Sequence, residues 1–373
     1  MSIADQILHQ RKIIRKISAI ILDAKGDYSF SEHLKHWVPE NLLRIFDLGS
    51  KNSLTYDPLQ AGTAQESAQR LFSSLTWSEE YYKSKAFSAL QIIFQVHFDH
   101  FKKNPNLADL NSYLEDPDTF TGAIASEAYP RKLAERDFME LSGLRDQIKT
   151  LSTSYLSQIL SPKEKTKINL SDAENGTVLY FRLQSLMSPQ LVATLGKLLI
   201  GHLGFVAGVA HRTEEGGKTL IPIYLDEFAS FACPEFADLI SKARSAGFAL
   251  HLSHQSIGDL TEVSPGFLNR ITDNTATKII LRINDPDSAE FFARSFGTKI
   301  YQKTTQRITN AKDLHSAEVL EEGTQREAHQ FRASPDLFKT LPTGVGSVLI
   351  AHGESTPHGA SSVFKIKFPR LSK

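Results

Sequence analysis

Two adjacent carboxylates at the end of an apolar run are the residues of this sequence best suited to chemistry. Residues 219–231 are TLIPIYLDEFASF, in which Asp226 and Glu227 follow a strand-like segment. An Asp at the end of a strand can bind the Mg²⁺ of a nucleotide, and a Glu beside it can polarise the water that attacks the γ-phosphate. The structural alternative is that Asp226 caps the following helix and that Glu227 interacts with the positive end of that helix.

The next segment, PEFADLISKARSAGFALHLSHQSIGDL, adds a third polar candidate. Its pattern predicts a helix that leads through Arg244 into a strand, and Gln255 stands at the end of that strand. An amide at this point is placed to contact the same γ-phosphate or water as the two carboxylates. Alone, Gln255 would be an ordinary hydrogen-bonded group. The three features in this order favour a nucleotide site, because ligands bind outside the carboxyl ends of parallel strands.

The elements that must position these residues alternate between strands and helices along much of the chain. This alternation predicts an α/β fold with a mainly parallel sheet and helices on both of its faces. Between Trp77 and about Ser161 helical spacing replaces the strand patterns, which indicates an inserted all-α subdomain. The predicted parts are therefore residues 1–76, 77–165 and 166–373. The strand patterns are SAIILD, NLLRIFDL, GTVLYFRL, TLIPIYLDEF, GFALHLSHQ, ATKIILRIN and VGSVLIAHG.

Composition narrows the class of protein further. The 373 residues are 41% apolar, and 42 basic residues balance 42 acidic ones, so any contact with DNA must be local. The local candidates for DNA are RKIIRK near the N-terminus and the segment from Arg270 to Lys278. A single cysteine, Cys233, excludes an internal disulfide, favours a reducing cytoplasm and is expected in the core. No apolar run is free of charges and glycines over a membrane-spanning length, and the polar stretch from Thr298 to Ala328 is expected to be mobile.

Four segments carry a resemblance to a known family. They are IPIYLDEFASF, SKARSAGFALHLSHQSIGDL, NTATKIILRINDPDSAEFFARSFG and FRASPDLFKTLPTGVGSVLIAHG. Together they resemble the ATPase domain of type IV secretion and conjugation coupling proteins, the TraD and TraG group, which are RecA-like motors similar to the HerA and FtsK translocases. The segments AIILDAKGDYS and NSLTYDPL resemble further motifs of the group. The likeness spans Ser18 to about Gly353 and is most specific from Leu220 to Gly297.

The resemblance implies a function and a set of site residues. Asp226 and Glu227 match the Walker B carboxylates, with Asp226 toward the metal, and Gln255 matches the glutamine that senses the γ-phosphate. Arg244 matches an arginine that the family offers to the nucleotide of the neighbouring subunit. The implied cofactors are ATP and Mg²⁺. The implied partners are single- or double-stranded DNA, relaxosome proteins and type IV secretion channel proteins, with a homo-hexamer at the cytoplasmic face of the inner membrane.

One departure from the family is the absence of the phosphate-binding pattern GxxxxGK[ST]. The tripeptide Gly217-Lys218-Thr219 is a poor substitute, because Arg212 stands where the first glycine should be and because the segment leads into a strand. Met1 to Lys16 is expected to be the back part of the helix that follows the missing loop, and the membrane helices of the family are also missing. The chain is therefore either part of a longer protein or a product that has lost the loop.

Two classes of function remain open at this point. The first is a motor, the ATPase domain of a coupling protein or of a related HerA-like translocase, which drives DNA through a ring. The second is a docking module that retains the ATPase-derived core, is catalytically impaired and binds relaxosome or secretion partners through its helical insertion. An in-frame phosphate loop upstream of Met1 would favour the motor.

Overall fold

The computed structural model describes residues 18–125, 131–163, 167–212, 220–308, 319–351 and 361–368. These residues form two compact units, one of residues 18–255 with 259–271 and the other of residues 256–258 with 272–368. The predicted third part, residues 166–373, thus extends across both units. The expected helix of Met1 to Lys16, the basic RKIIRK segment and Gly217-Lys218-Thr219 lie outside the described residues.

The larger unit is built around a parallel sheet of five strands in the order β2-β3-β1-β4-β5. The short apolar runs form these strands because both faces of the sheet are covered by helices, so a strand such as AIILD is buried at all five positions. The prediction of a mainly parallel α/β sheet is confirmed. The strands are β1 (Ala19–Asp23), β2 (Leu43–Asp47), β3 (Val178–Arg182), β4 (Ile221–Asp226) and β5 (Phe248–Leu252).

A block of helices separates β2 from β3, and the described residues between these two strands contain no strand. Two of its helices begin at reciprocal polar caps, the pairs Thr63–Glu66 and Asn106–Asp109. The predicted all-α insertion is therefore present. After α1 (Tyr28–Trp37), the helices are α2 (Ala64–Ser74), α3 (Glu80–Phe101), α4 (Leu107–Glu115), α5 (Pro117–Ile124), α6 (Arg131–Glu140), α7 (Ser142–Ser152) and α8 (Ser154–Leu160).

One helix of the larger unit, α9 (Pro189–Arg212), is long and apolar enough to cross a membrane by length and composition. Half of its most apolar window is buried inside the protein. Leu195, Leu199 and Leu203 belong to the main core, and α9 packs against α2. In this fold α9 is therefore a core helix. The expected burial of Cys233 is also confirmed, with 3% of that residue exposed.

Three short helices follow β4 in the chain, and the last two contain residues of both units. They are α10 (Phe236–Lys242), α11 (Gly258–Thr261) and α12 (Phe267–Asn274). A short 3-10 helix, Phe228–Phe231, follows β4 and is buried through its two phenylalanines. Phe228 stacks on Phe267 with ring centroids 6.3 Å apart, so the segment after the two candidate carboxylates is anchored in the core.

The smaller unit contains a sheet of three antiparallel strands and a separate two-stranded ribbon. The segments ATKIILRIN and VGSVLIAHG form strands as predicted, but they pair with each other and do not join the parallel sheet. The stretch from Thr298 to Ala328 was expected to be mobile, whereas its described residues form paired strands with one irregularity between Gln306 and Ile308. The elements are β6 (Thr277–Ile280), α13 (Pro286–Phe296), β7 (Thr298–Ile308), β8 (Val319–Phe331), α14 (Pro335–Lys339), β9 (Val345–Ala351) and β10 (Ser361–Lys367).

Candidate nucleotide site

The carboxyl ends of four neighbouring strands carry a row of charged residues. Asp47, Arg182, Asp23 and Asp226 are the last residues of β2, β3, β1 and β4, and the register of the sheet makes them direct neighbours in that order. Apolar residues precede them because those positions lie between the helical layers, and charged residues follow where each strand leaves the core. This edge of an open parallel sheet is where ligands bind.

Asp226 and Glu227 occupy this edge in a defined and unusual backbone conformation. Glu227 has a φ angle of 51°, in the left-handed region that non-glycine residues seldom adopt. Its backbone N–H donates to Ser253 Oγ at 3.3 Å, and Ser253 Oγ donates in turn to Asp226 Oδ1. Such a conformation costs on the order of 1–3 kcal/mol and concentrates at functional sites. The two carboxylates have different partners, since Asp226 accepts from Ser253 Oγ and Glu227 accepts from Gln255 Nε2.

The Glu227 carboxylate meets two donors at the same oxygen. Gln255 Nε2 donates to Glu227 Oε2 at 2.7 Å, and Lys25 Nζ lies 3.2 Å from that atom. The Glu227 side chain is 17% exposed and the Lys25 side chain 54% exposed, so the contact lies at the rim of the site. The hydrogen bond to Glu227 is the main cause that raises the pKa of Lys25. The structure thus brings together Asp226, Glu227 and Gln255, as the sequence predicts.

Lys25 reaches this site from a loop that Asp23 holds rigidly. The Asp23 side chain is buried and accepts three hydrogen bonds, from Gly26 N at 2.8 Å, Asp27 N at 2.9 Å and Tyr180 Oη at 2.6 Å. Gly26 has a φ angle of 70°, and a Cβ atom there would lie 2.5 Å from Gln184 Cγ. Sequence reasoning gave Lys25 no part in the site, although the segment DAKGD that contains it was already visible.

A second network holds the other end of the row. Arg182 NH1 donates to Asp47 Oδ2 at 3.0 Å, and Arg182 Nε donates to the carbonyl oxygen of Gly26 at 2.9 Å. Gln184 Nε2 donates to the second oxygen of Asp47 at 2.9 Å. Arg182 is therefore bound to two elements at once, and the positions of the β2 end and of the Lys25 loop depend on each other.

Arg244 lies away from these residues. It is exposed in the turn between α10 and β5, at the amino end of β5, whereas Gln255 follows the carboxyl end of the same strand. Arg244 therefore does not share a site with Glu227 within one chain. Its predicted contact with the nucleotide of a neighbouring subunit stays a prediction.

The donor set at the strand ends is suited to a hard cation. Asp226 and Glu227 offer carboxylate oxygens and Ser253 a hydroxyl oxygen, and oxygen is the ligand that Mg²⁺ prefers. Within the described ranges, no group of three or more His, Cys, Asp or Glu side chains could hold a metal ion. This combination fits a Mg²⁺ ion that retains waters and is shared with phosphate oxygens.

The fold and this edge define the molecule as a RecA-like α/β domain, and comparison with known proteins narrows the class. Residues 221–341 match the family model described as the TraM recognition site of TraD and TraG. The bacterial conjugative coupling protein TrwBdeltaN70 in its unbound form is 13% identical, with a TM-score of 0.67 over 97% of this chain and 80% of that chain. TrwB in complex with ADP and Mg²⁺ is 14% identical, with a TM-score of 0.66 over 97% and 81%.

VirB4 of Thermoanaerobacter pseudethanolicus has the same fold, with 13% identity and a TM-score of 0.58 over 98% of this chain and 85% of that chain. No curated protein matches the sequence. The family match and the shared fold confirm the resemblance to the ATPase-like domain of type IV coupling proteins. At identities this low, the solved structures establish the fold alone.

Proposed function

We propose that this chain is part of the ATP-driven DNA translocase domain of a conjugation or type IV secretion coupling protein, and that it represents a part without the phosphate loop. One observation carries the proposal: Asp226, Glu227 and Gln255 converge at the carboxyl ends of β4 and β5, and Gln255 lies 2.7 Å from Glu227. Support comes from TrwB, whose structure was solved in complex with ADP and Mg²⁺.

In this proposal each side chain acts according to its position. Asp226 would hold Mg²⁺, which when bound neutralises phosphate charge. Glu227 would accept the proton of the attacking water, and Gln255, which contacts the same carboxylate, would orient that water. Arg244 would act on the nucleotide of the next subunit of a homo-hexamer, because a fixed guanidinium stabilises charge on the γ-phosphate. The proposed location is the cytoplasmic face of the bacterial inner membrane.

Nucleotide affinity tests whether the phosphate loop is what this chain lacks. The 373-residue chain is expected to bind ATP weakly and to hydrolyse it negligibly, because the backbone N–H groups and lysine of the loop are missing. A version extended by the in-frame upstream codons, if they encode the loop, is expected to gain both activities. Micromolar affinity of the 373-residue chain in calorimetry would contradict the assignment, as would an extended chain that has the loop and still does not hydrolyse ATP.

The second candidate is a catalytically impaired docking module for relaxosome or secretion partners. It is favoured by the family match, because the matching model is described as a TraM recognition site and covers residues 221–341. A module should bind a TraM-type relaxosome protein without nucleotide, and its binding should be indifferent to Glu227→Gln. A motor differs from a docking module in one measurable property: the extended chain hydrolyses ATP, and Glu227→Gln abolishes this hydrolysis.

A further inference from the structure

The two-stranded ribbon of the smaller unit has two chemically different faces. β7 and β8 pair in antiparallel register from Thr298 opposite Phe331 to Gln306 opposite Gly323. Residues directly opposite each other lie on the same face, and successive residues alternate between faces. The register therefore decides which side chains of the ribbon act together.

One face, here called the basic face, carries Lys299, Tyr301, Lys303 and Arg326. Lys299 stands opposite Gln330, Tyr301 opposite Ala328, and Lys303 opposite Arg326. All four named side chains are exposed. The same stretch of the basic face has no carboxylate, since the single acidic residue there, Glu327, stands opposite Gln302 on the other face. The face has a charge of one sign with an aromatic ring between its cations.

The pairing of Lys303 with Arg326 opposes the stability of the ribbon. Like charges directly opposite each other on neighbouring strands are destabilising, and an isolated two-stranded ribbon is marginal even without them. Among the residues that the structure describes, no ion pair joins Lys299, Lys303 or Arg326 to a carboxylate. The three cations of the basic face thus form no ion pair within the described part of the molecule.

We propose that the basic face binds the phosphate backbone of duplex DNA, with the ribbon lying in the major groove. A two-stranded ribbon fits this groove, which is about 12 Å wide. Lys299 and Lys303 are four residues apart, or about 13 Å along an extended strand. Lys299 and the Lys303–Arg326 pair can therefore reach different phosphates of the same duplex. The proposal rests on the proposed function for its choice of DNA, and it adds the surface that holds the DNA.

Salt dependence of duplex binding provides the test, because each phosphate contact releases counterions. Lys303→Thr with Arg326→Thr keeps the strands intact, since Thr favours strands and opposite threonines pair well. In the 373-residue chain, anisotropy with a labelled duplex should show a salt slope smaller by about 2, roughly 0.9 for each lost contact. The loss should be the same for unrelated DNA sequences, and Lys299→Thr alone should lower the slope by about 1.

A charge-matched control is available on β10, where Lys365→Thr with Lys367→Thr removes two exposed cations of the same unit. The control should bind as the parent chain does. Equal losses in both double variants would reduce the effect to net charge and overturn the ribbon proposal, as would an unchanged slope in the ribbon variant. Either result leaves the proposed function standing if the parent chain binds duplex DNA.

Other outcomes separate the two proposals. If the parent chain binds no DNA, both the ribbon and the DNA-handling part of the proposed function fail. If it binds only single strands through the ribbon, the duplex assignment is wrong. The thermal midpoint of the ribbon double variant without DNA should be no lower than that of the parent, because a like-charge pair is removed. A lower midpoint would mean that Lys303 and Arg326 support the fold, which contradicts the argument from unpaired charge.

Discussion

Replacement of Asp23 should destabilise the protein, and the hydrogen bonds that the Asp23 carboxylate accepts determine by how much. Asp23 Oδ1 accepts from Gly26 N, and Oδ2 accepts from Asp27 N and Tyr180 Oη. In Asp23→Asn, either orientation of the amide places its NH₂ group against one of the two backbone N–H groups. Each buried donor that loses its acceptor costs about 1–3 kcal/mol. We therefore expect Asp23→Asn to lower the free energy of unfolding by about 1–3 kcal/mol.

Asp23→Ala removes all three acceptor contacts and should cost about two to three times as much. Tyr180→Phe is the matched control, because it removes one donor and leaves both loop hydrogen bonds in place. Its cost should be about 1.5–3 kcal/mol in the parent chain and close to zero in the Asp23→Ala background, since the partner is already lost. Urea unfolding followed by circular dichroism measures the parent chain, the three single variants and the double variant. A loss below about 1 kcal/mol for Asp23→Ala would show that the Lys25 loop does not depend on this carboxylate.

Three further predictions concern catalysis, pH and thiol chemistry. In the intact motor, Glu227→Gln should keep ATP bound without turnover and Arg244→Ala should cut turnover, by about 10³ to 10⁵ if it is an arginine finger. Mixed rings of the two variants should regain part of the ATPase activity. If rings that demonstrably contain both variants regain none, Arg244 is a structural residue and not an arginine finger. Burial lowers the pKa of His202 from 6.5 to about 3, so its contribution to stability is present above pH 6.5 and is lost as the pH falls. Burial raises the pKa of Asp57 from 3.8 to about 6. The contribution of Asp57 to stability is therefore present below pH 3.8 and is lost as the pH rises through 6. The difference in urea midpoint between the parent chain and His202→Gln should therefore change between pH 7 and pH 5, and an unchanged difference would contradict a neutral buried imidazole. Burial raises the pKa of Cys233 to about 12, so a thiol reagent should react with it only on unfolding, and rapid reaction of the folded chain would refute this.

The sequence predicts most of the parallel sheet because its strands are continuous apolar runs. AIILD, for example, is long enough for one strand, and the four residues before its terminal Asp23 are all apolar. The pairing of strands is less accessible to sequence reasoning. The patterns of β6 and β9 resemble those of buried parallel strands, yet these strands pair antiparallel in the smaller unit. The ribbon escapes prediction for another reason, since polar side chains on both of its faces leave no hydrophobic alternation to detect.

Some residues of the candidate site can likewise be predicted from the sequence, and others cannot. Asp226, Glu227 and Gln255 could be predicted because each stands where an apolar strand ends, and neighbouring parallel strands end at the same edge. Lys25 was not predicted, although it too follows an apolar strand, because the sequence does not show that β1 lies beside β4. The ion pair depends on the left-handed backbone of Glu227 and on the loop that Asp23 holds. The left-handed backbone of Glu227 has no sequence pattern of its own, since Glu is not a residue that marks positive φ.

Ser253, which follows β5, holds the backbone on both sides of the two carboxylates. Its backbone N–H donates to Leu225 O at 3.0 Å, and its carbonyl oxygen accepts from Phe228 N at 2.8 Å. These two bonds clamp the chain on either side of Asp226 and Glu227, while the hydroxyl of Ser253 contacts both residues. The left-handed turn at Glu227 is thus fixed from the neighbouring strand, because nothing in the local sequence favours it. A shift of β5 along β4 would therefore move Gln255, Ser253 and the Glu227 carboxylate together, which couples the geometry of the whole site to one strand pairing.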